Sequence, residues 1–327
     1  MRSFWAGKRV LVTGGTGLIG SHLVELLLEN QAVVRIAARL QRRNVSWVQT
    51  YQDRVECMQG DLTEPDFCEQ CCQGMDVVMH AAGKVAGVPY NLAHPADMLT
   101  TNLRIDTNVI DGAQKVGIKR YLYISGVTVY SPTVPIPTPE DQGLVGLPEA
   151  SVSGASWAKR VGEVQAQLYA AEHGMEVAIV RLSNVYGPRD DFSETTAHVI
   201  ATTIRNVLAY QPPKIWGNGD QSRSYLYVAD AVRGLLLATE KYPKADPINI
   251  GGASEITLHE LVCLILQLTE SDLPILFDTA RPVGHPRRLA DSRKAQSLLG
   301  FQPRVDIKEG LEKTIIWYRT TITRAET

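Results

Sequence analysis

The chain is expected to fold as an α/β protein built on a doubly wound parallel sheet, with a smaller C-terminal α/β part. Three observations carry that expectation. Strand-like and helix-like segments alternate through the first half of the 327 residues. The strand-like runs are apolar almost throughout, as strands covered on both faces must be. The first of them ends in a glycine-rich turn that opens directly into a helical pattern.

Taken in order, apolar β-branched runs at residues 9–14, 33–39, 55–61, 77–83, 121–126 and 177–187 predict strands. Helical spacing predicts helices over 20–30, 98–116 and 156–173. In the last of these Val161, Val164, Leu168 and Ala171 recur at helical intervals. Beyond Tyr130 the pattern is less regular. Proline-bearing stretches at 131–148, 211–213 and 281–286 read as loops around a site, because no Gly/Ser-rich or charge-rich tether accompanies them. Residues 1–180 are therefore expected to form the first domain. Residues 181–327 are expected to form a second, substrate-side region interleaved with it.

Composition narrows the function. Hydrophobic residues make up 44% and charged residues 21%, an ordinary balance for a globular protein. The charges sum to 33 − 35 = −2, which gives no reason to expect nucleic acid or an anionic membrane as partner. No apolar run reaches the roughly 20 residues of a membrane span. Met1-Arg2-Ser3-Phe4-Trp5 lacks a signal-peptide core, so the cytoplasm is the expected location. Five cysteines are too few and too uneven for a disulfide framework. Cys68-Glu-Gln-Cys71-Cys72 contains a C-x-x-C, but no second pair follows to complete a zinc site, and no metal is expected. Asn44-Val45-Ser46 fits a glycosylation sequon without a secretion signal to use it.

The strongest motif is Thr13-Gly14-Gly15-Thr16-Gly17-Leu18-Ile19-Gly20. Strand, glycine turn and helix start come in the order that lets backbone approach a pyrophosphate and aim a helix N-terminus at it. Gly14, Gly17, Leu18, Ile19 and Gly20 are the expected contacts, and the fold expected around them is Rossmann-like. After the second strand-like run, Ile36-Ala37-Ala38-Arg39 offers no carboxylate for a ribose 2′-hydroxyl, and Arg42 and Arg43 follow. Arg39 suits a 2′-phosphate, so NADP(H) is favoured and NAD(H) remains possible.

The spacing G-x-x-G-x-x-G after Thr13 resembles the short-chain dehydrogenase/reductase superfamily. Asp61-Leu62 is similar to its adenine-side segment, and His80-Ala81-Ala82-Gly83 to its strand end beside the cofactor. Arg181-Leu-Ser-Asn184-Val-Tyr-Gly-Pro188 resembles the extended, nucleotide-sugar-modifying branch, the epimerase/dehydratases. Within that branch the chain is similar to the GDP-fucose synthase family over residues 9 to 318. The likeness rests on Ala82 to Val88 with Lys84, on Pro95-Ala-Asp-Met98 with Asn102, on Asp191-Phe192 with His198, on Trp216-Gly-Asn-Gly219 with Arg223, and on Phe277 to Asp291 with Arg288. The resemblance implies a nucleotide-sugar substrate held by Lys84, Asn184, His198, Trp216, Arg223 and Arg288. It also implies a homodimer through the helices at 98–116 and 156–173.

The catalytic positions depart from the family. Its Tyr-x-x-x-Lys pair places a proton-donating phenol one turn before a lysine, with a serine or threonine nearby. Lys159 fits the lysine, but Ala155 stands where the tyrosine belongs and Gly126 where the serine belongs. The family's epimerisation cysteine falls at Thr128, and its histidine is His198. Ser125, Ser153 and Ser156 are adjacent hydroxyls, and Tyr130 and Tyr90 are phenols that another loop could bring near. Lys159, His198, Ser125 and Thr128 are therefore the catalytic candidates. Two readings stay open: a reductase or epimerase with a re-wired proton supply, and a module that binds dinucleotide and nucleotide sugar without turning them over.

Overall fold

The computed structural model describes residues 3–39, 47, 50–51, 53–281 and 283–325, with side chains as far as residue 321. The first half lays down β1 (Arg9–Thr13), β2 (Val33–Ala38), β3 (Val55–Gln59), β4 (Val77–His80), β5 (Arg120–Gly126) and β6 (Glu176–Leu182). Its helices are α1 (Leu18–Glu29), α2 (Pro65–Cys72), α3 (Val88–Ala93), α4 (Pro95–Lys115) and α5 (Ser153–His173). Short strands follow: β7 (Asn184–Tyr186), β8 (Lys214–Trp216), β9 (Ser222–Tyr227), β10 (Ile248–Ile250), β11 (Glu255–Thr257), β12 (Leu276–Asp278) and β13 (Arg287–Arg288). Between and after them come α6 (Val199–Leu208), α7 (Val228–Lys241), α8 (Leu258–Thr269), α9 (Arg293–Leu299) and α10 (Ile307–Ala325).

Seven strands form one parallel sheet in the order β10-β6-β5-β4-β1-β2-β3. This is the doubly wound arrangement expected from the alternation of segments. The order reverses between β1 and β4, and that reversal opens a crevice at the carboxyl ends of the strands. Successive residues of β1 serve opposite faces: Val10 and Val12 enter one buried cluster with Leu23, Leu27 and Leu235, and Leu11 enters another with Cys68, Val109 and Tyr121. Hence α1 and α7 cover one face, and α2, α4 and α5 the other.

The strand expected over 177–187 is two strands. β6 stays in the main sheet to Leu182, where the Ser183 N–H bonds to the Ile250 carbonyl at 3.0 Å. β7 then leaves and pairs in parallel with β9. The apolar run continues through the break because both pieces are buried, so hydrophobicity gives no sign of it. β9 also pairs with β11 and β13, and β8 pairs with β12. β10, from the second half of the chain, closes the main sheet beside β6.

The turn after β1 requires its glycines. Gly14 has φ +66°, and a Cβ there would lie 2.7 Å from the Ala82 Cα. A Cβ on Gly20 would run into the Gly14 carbonyl. Gly20→Ala is therefore expected to destabilise the fold by about 1–3 kcal/mol through overpacking, read as a lower denaturant midpoint at unchanged m-value. An unchanged midpoint would mean that the turn yields more than its packing suggests.

Candidate functional site

The crevice is built around the glycine turn. Gly14 donates to the Ala37 carbonyl at 2.9 Å and Gly17 to the Gly14 carbonyl at 2.9 Å. Gly17 caps α1 with no side-chain hydrogen bond, so Leu18 and Ile19 open the helix with backbone N–H groups that have no partner within it. Across the crevice lie Ala81, Ala82 and Gly83, directly after β4. The Ala82 N–H donates to Thr13 Oγ1 at 3.2 Å. Arg39 follows β2 and is exposed. Asp61 follows β3, with buried Leu62 beside it. The Asp61 carboxylate accepts the Thr63 N–H at 2.9 Å, which with the nearby Arg39 charge holds it below the usual carboxylate range. Arg42, Arg43 and the Asn44 sequon lie outside the described residues.

Below this turn runs a buried polar chain. Thr13 Oγ1 lies 2.7 Å from His80 Nδ1, and His80 Nε2 lies 3.0 Å from Asp106 Oδ1. Tyr123 donates to Asp106 Oδ2 at 2.6 Å, and Lys159 Nζ stands 3.8 Å from the same oxygen and over the Tyr123 ring. Burial pushes the Asp106 carboxyl up, but Lys159, His80 and Tyr123 outweigh it, and the net shift is downward. Sequence reasoning missed Asp106. The available signal was an acid on the apolar stripe of α4, flanked by Ile105, Val109 and Ile110.

The other catalytic candidates separate into committed and uncommitted groups. Ser125 donates to Glu163 at 2.5 Å, and Glu163 in turn takes a two-pronged bond from Arg181. Tyr130 is buried, donates to Asn249 at 2.6 Å and accepts from Arg181. Tyr90 donates to Asp97 at 3.2 Å. None of the three hydroxyls is free to replace a missing phenol. Thr128 Oγ1 has no partner among the described residues, and it lies 3.7 Å from where a Cβ on Gly126 would stand. Gly126 itself is extended, with φ −152°, so a serine there meets no strain. Ala155 is half-buried, one turn before Lys159 on the same helix.

The substrate-side residues gather on the far wall. Gly87 donates to the Thr196 carbonyl at 3.0 Å, which clasps the loop after β4 to the loop carrying His198. His198 begins α6 and keeps solvent access on one side, while protein packed around its other side pulls its pKa down. Lys84 is ion-paired with Asp97, which raises its pKa, and its backbone is pinned on both sides by Asn102. Asn184, Arg223 and Arg288 stand on β7, β9 and β13 of one small sheet, and Arg223 and Arg288 are register partners. Arg288 pairs with Glu149, yet its buried Nε has no partner. Burial, together with the Arg223 charge and against Glu149, lowers the Arg288 pKa to about 10. The same two arginines, after burial, lower His285. Trp216 lies apart on β8, under the Arg281 guanidinium. Sequence reasoning named neither Glu149 nor His285 as part of this cluster.

The C-x-x-C is core structure: Cys68, Cys71 and Cys72 are buried on α2, and burial pushes Cys68 to about 12 and Cys71 to about 11. Among the described residues no group of three His, Cys, Asp or Glu could hold a metal ion. Among them, too, no helix is long and apolar enough to cross a membrane.

Fold and crevice together define a dinucleotide-binding α/β protein of the doubly wound class. The model of the NAD dependent epimerase/dehydratase family matches residues 10–251, and the chain belongs to that family. It is 32% identical over 330 residues to a rice (Oryza sativa subsp. japonica) protein named "Probable GDP-L-fucose synthase 1", covering 98% of this chain and 94% of that one. It is 31% identical to a dTDP-4-dehydro-6-deoxy-D-allose reductase of Streptomyces sp, covering 96% and 97%. Among solved structures, the UDP-glucose 4-epimerase of Thermotoga maritima with UDP-glucose superposes with a TM-score of 0.87 at 29% identity, covering 96% of this chain and 99% of that one.

One carboxyl, on the turn that follows β7, is held well above the usual carboxylate range. Asp190 is buried, accepts the Asp191 N–H at 2.7 Å, and is pushed up to about 7 by burial. Its folded pKa exceeds its unfolded value, so the folded state holds the extra proton between about pH 4 and 7 and loses stability as pH rises through that window. Asp190→Asn is expected to raise the melting temperature at pH 8 and leave it nearly unchanged at pH 4. Equal effects at both pH values would show that the carboxyl is not being forced to ionise.

Proposed function

We propose that the protein is an NADP(H)-dependent nucleotide-sugar reductase or epimerase with an atypical proton supply. The observation that carries this reading is the set of Arg223, Arg288 and His285 beside Glu149, with the second carboxylate near Arg223, Glu255, already paired with Arg287 and with a buried arginine donor left unpartnered. Cationic groups in excess of their counter-charge suit the pyrophosphate of a nucleotide sugar. The uncapped N-terminus of α1, with glycines at the points of closest approach, suits the pyrophosphate of a dinucleotide. A dinucleotide bound there supplies or accepts the hydride. Lys159 holds its charge toward the cofactor-side ribose, and Arg39 receives a 2′-phosphate. His198 and Thr128, whose side chains make no hydrogen bond among the described residues, exchange the proton with the sugar in this reading. Ser125 is tied to Glu163 and acts through the wall of the site.

Losing the phenol costs roughly 10²–10⁴ in rate. From a typical turnover near 10 s⁻¹, about 10⁻¹ to 10⁻³ s⁻¹ remains. The test uses stoichiometric protein in deuterated water with NADPH or NADP⁺ and a panel of GDP-, UDP- and dTDP-linked 4-keto sugars. Cofactor oxidation or deuterium uptake is expected, abolished in Lys159→Ala and reduced in His198→Ala. NADPH is expected to bind more tightly than NADH. The double change Gly126→Ser, Ala155→Tyr is expected to raise turnover by about 10²-fold or more. Tight dinucleotide binding, with every sugar unchanged even by the double variant, would favour the binding-module reading.

We also propose a homodimer through α4 and α5. Trp157, Val161, Val164 and Leu168 form one exposed stripe on α5, with Leu168 60% exposed. The spacing follows a single helix face, and a stripe of this kind is unusual on a monomer. Light scattering is expected to give about twice 36.0 kDa. Val161→Glu with Leu168→Glu is expected to give the monomer mass while the fold persists. A monomeric wild type would remove the assignment.

A further inference from the structure

We infer that Asp106 is the positioning residue for Lys159, and that the chain Thr13–His80–Asp106 ties that lysine to the phosphate turn. The inference rests on the proposed dinucleotide site. Asp106 is 2% exposed on the inner face of α4. A buried carboxylate is costly unless its oxygens are filled, and here they are filled from three other elements. β4 supplies His80, β5 supplies Tyr123, and α5 supplies Lys159. Gly162 makes the room: a Cβ there would lie 3.1 Å from Asp106 Oδ2 and would overlap the Tyr123 hydroxyl. Tyr121 and Glu163 complete the surroundings, Tyr121 feeling the Asp106 charge and Glu163 reaching Tyr123.

Directionality follows from satisfying every group. Thr13 Oγ1 accepts the Ala82 N–H, so its own hydrogen is free for His80 Nδ1. His80 Nε2–H then donates to Asp106 Oδ1, and Asp106 Oδ2 faces Tyr123 and the ammonium. This hydrogen-bond pattern assigns the tautomer. In a Tyr-x-x-x-Lys dyad the phenol one turn earlier would stand beside the lysine. Ala155 gives Lys159 no such neighbour, and the anion that faces the ammonium comes from beneath. One end of the chain is the backbone of the crevice itself, at Ala82 opposite Gly14. The other end is the side chain assigned to the far ribose. A displacement of the turn and a displacement of Lys159 are therefore coupled through a rigid buried path.

The test separates positioning from general damage by using half of the ligand. Affinity is measured for NADPH, which reaches Lys159, and for 2′,5′-ADP, which carries only the adenosine side. Asp106→Asn is expected to weaken NADPH about tenfold and to leave 2′,5′-ADP within about twofold. Lys159→Ala is expected to show the same selectivity, and the double variant to be no weaker than the worse single one. Tyr123→Phe, which removes one bond and keeps the charge, is expected to show a smaller loss of the same kind and carries the test if Asp106→Asn does not fold. Equal weakening of both ligands, no weakening of either, or additive losses would overturn the inference while leaving the dinucleotide site standing. A wild type that binds neither ligand would remove the site and the inference together.

Discussion

The approach of the Gly14 backbone to Ala82 is the constraint on which the rest of the site depends. At 2.7 Å from a hypothetical Cβ, no side chain fits between the end of β1 and the segment after β4. That closeness sets α1 with its N-terminus at the point where the sheet order reverses. It also brings the Ala82 N–H onto Thr13, and so places the His80 ring under the turn, against Asp106. The helices that carry Asp106 and Lys159 pack on each other and on the same sheet face. One tight backbone contact is thereby converted into a fixed location for a charge beneath the next two strands, β4 and β5.

A second buried pair does the equivalent work one turn further along the same face of α5. Arg181 donates two hydrogen bonds to the Glu163 carboxylate and also reaches Tyr130 and the Glu140 carbonyl. Separating them would leave a buried charge unpaired, which costs about 3–5 kcal/mol. The pair locks α5 to β6 one turn beyond Lys159. It also consumes Ser125, the residue before Gly126, and Tyr130. The same bonds that position α5 thus exclude those side chains from proton exchange.

The sheet and the phosphate turn were legible because their signals are local: glycine spacing, alternating apolar segments, and a helix that starts four residues after Gly14. The division at Ser183 was not, since hydrophobicity reports burial and both halves of the run are buried. Arg223 and Arg288 could be named from the family likeness, but their pairing across β9 and β13 is a product of the second sheet's register. Asp106 was illegible for a different reason. A single acid on a helix ordinarily reads as a solvent-facing residue, and only the arrival of His80, Tyr123 and Lys159 from three other elements makes its burial affordable. Tyr130 shows the converse: a free-looking phenol in the sequence is spent in the fold.

Enzyme and inert binder can be weighed by asking which polar atoms the fold leaves for something else. A buried donor without a partner costs about 1–3 kcal/mol, and more when it carries charge. Several described side chains carry such an atom, among them Ser156 and Tyr121, but Arg288 is the one set beside a second arginine and a histidine. A phosphate oxygen at that point would satisfy the donor and dilute the repulsion at once. A charged donor of that kind argues for a phosphorylated ligand under either reading. The difference lies at the reacting carbon, where Ala155 and Gly126 add nothing. There Thr128 Oγ1 makes no bond among the described residues and lies 3.7 Å from where a Cβ on Gly126 would stand, and Ser156 Oγ, one residue after Ala155, is buried without a partner. Hydroxyls left without partners beside both replaced positions are the physical ground on which the proposal of a slow or re-wired catalyst rests.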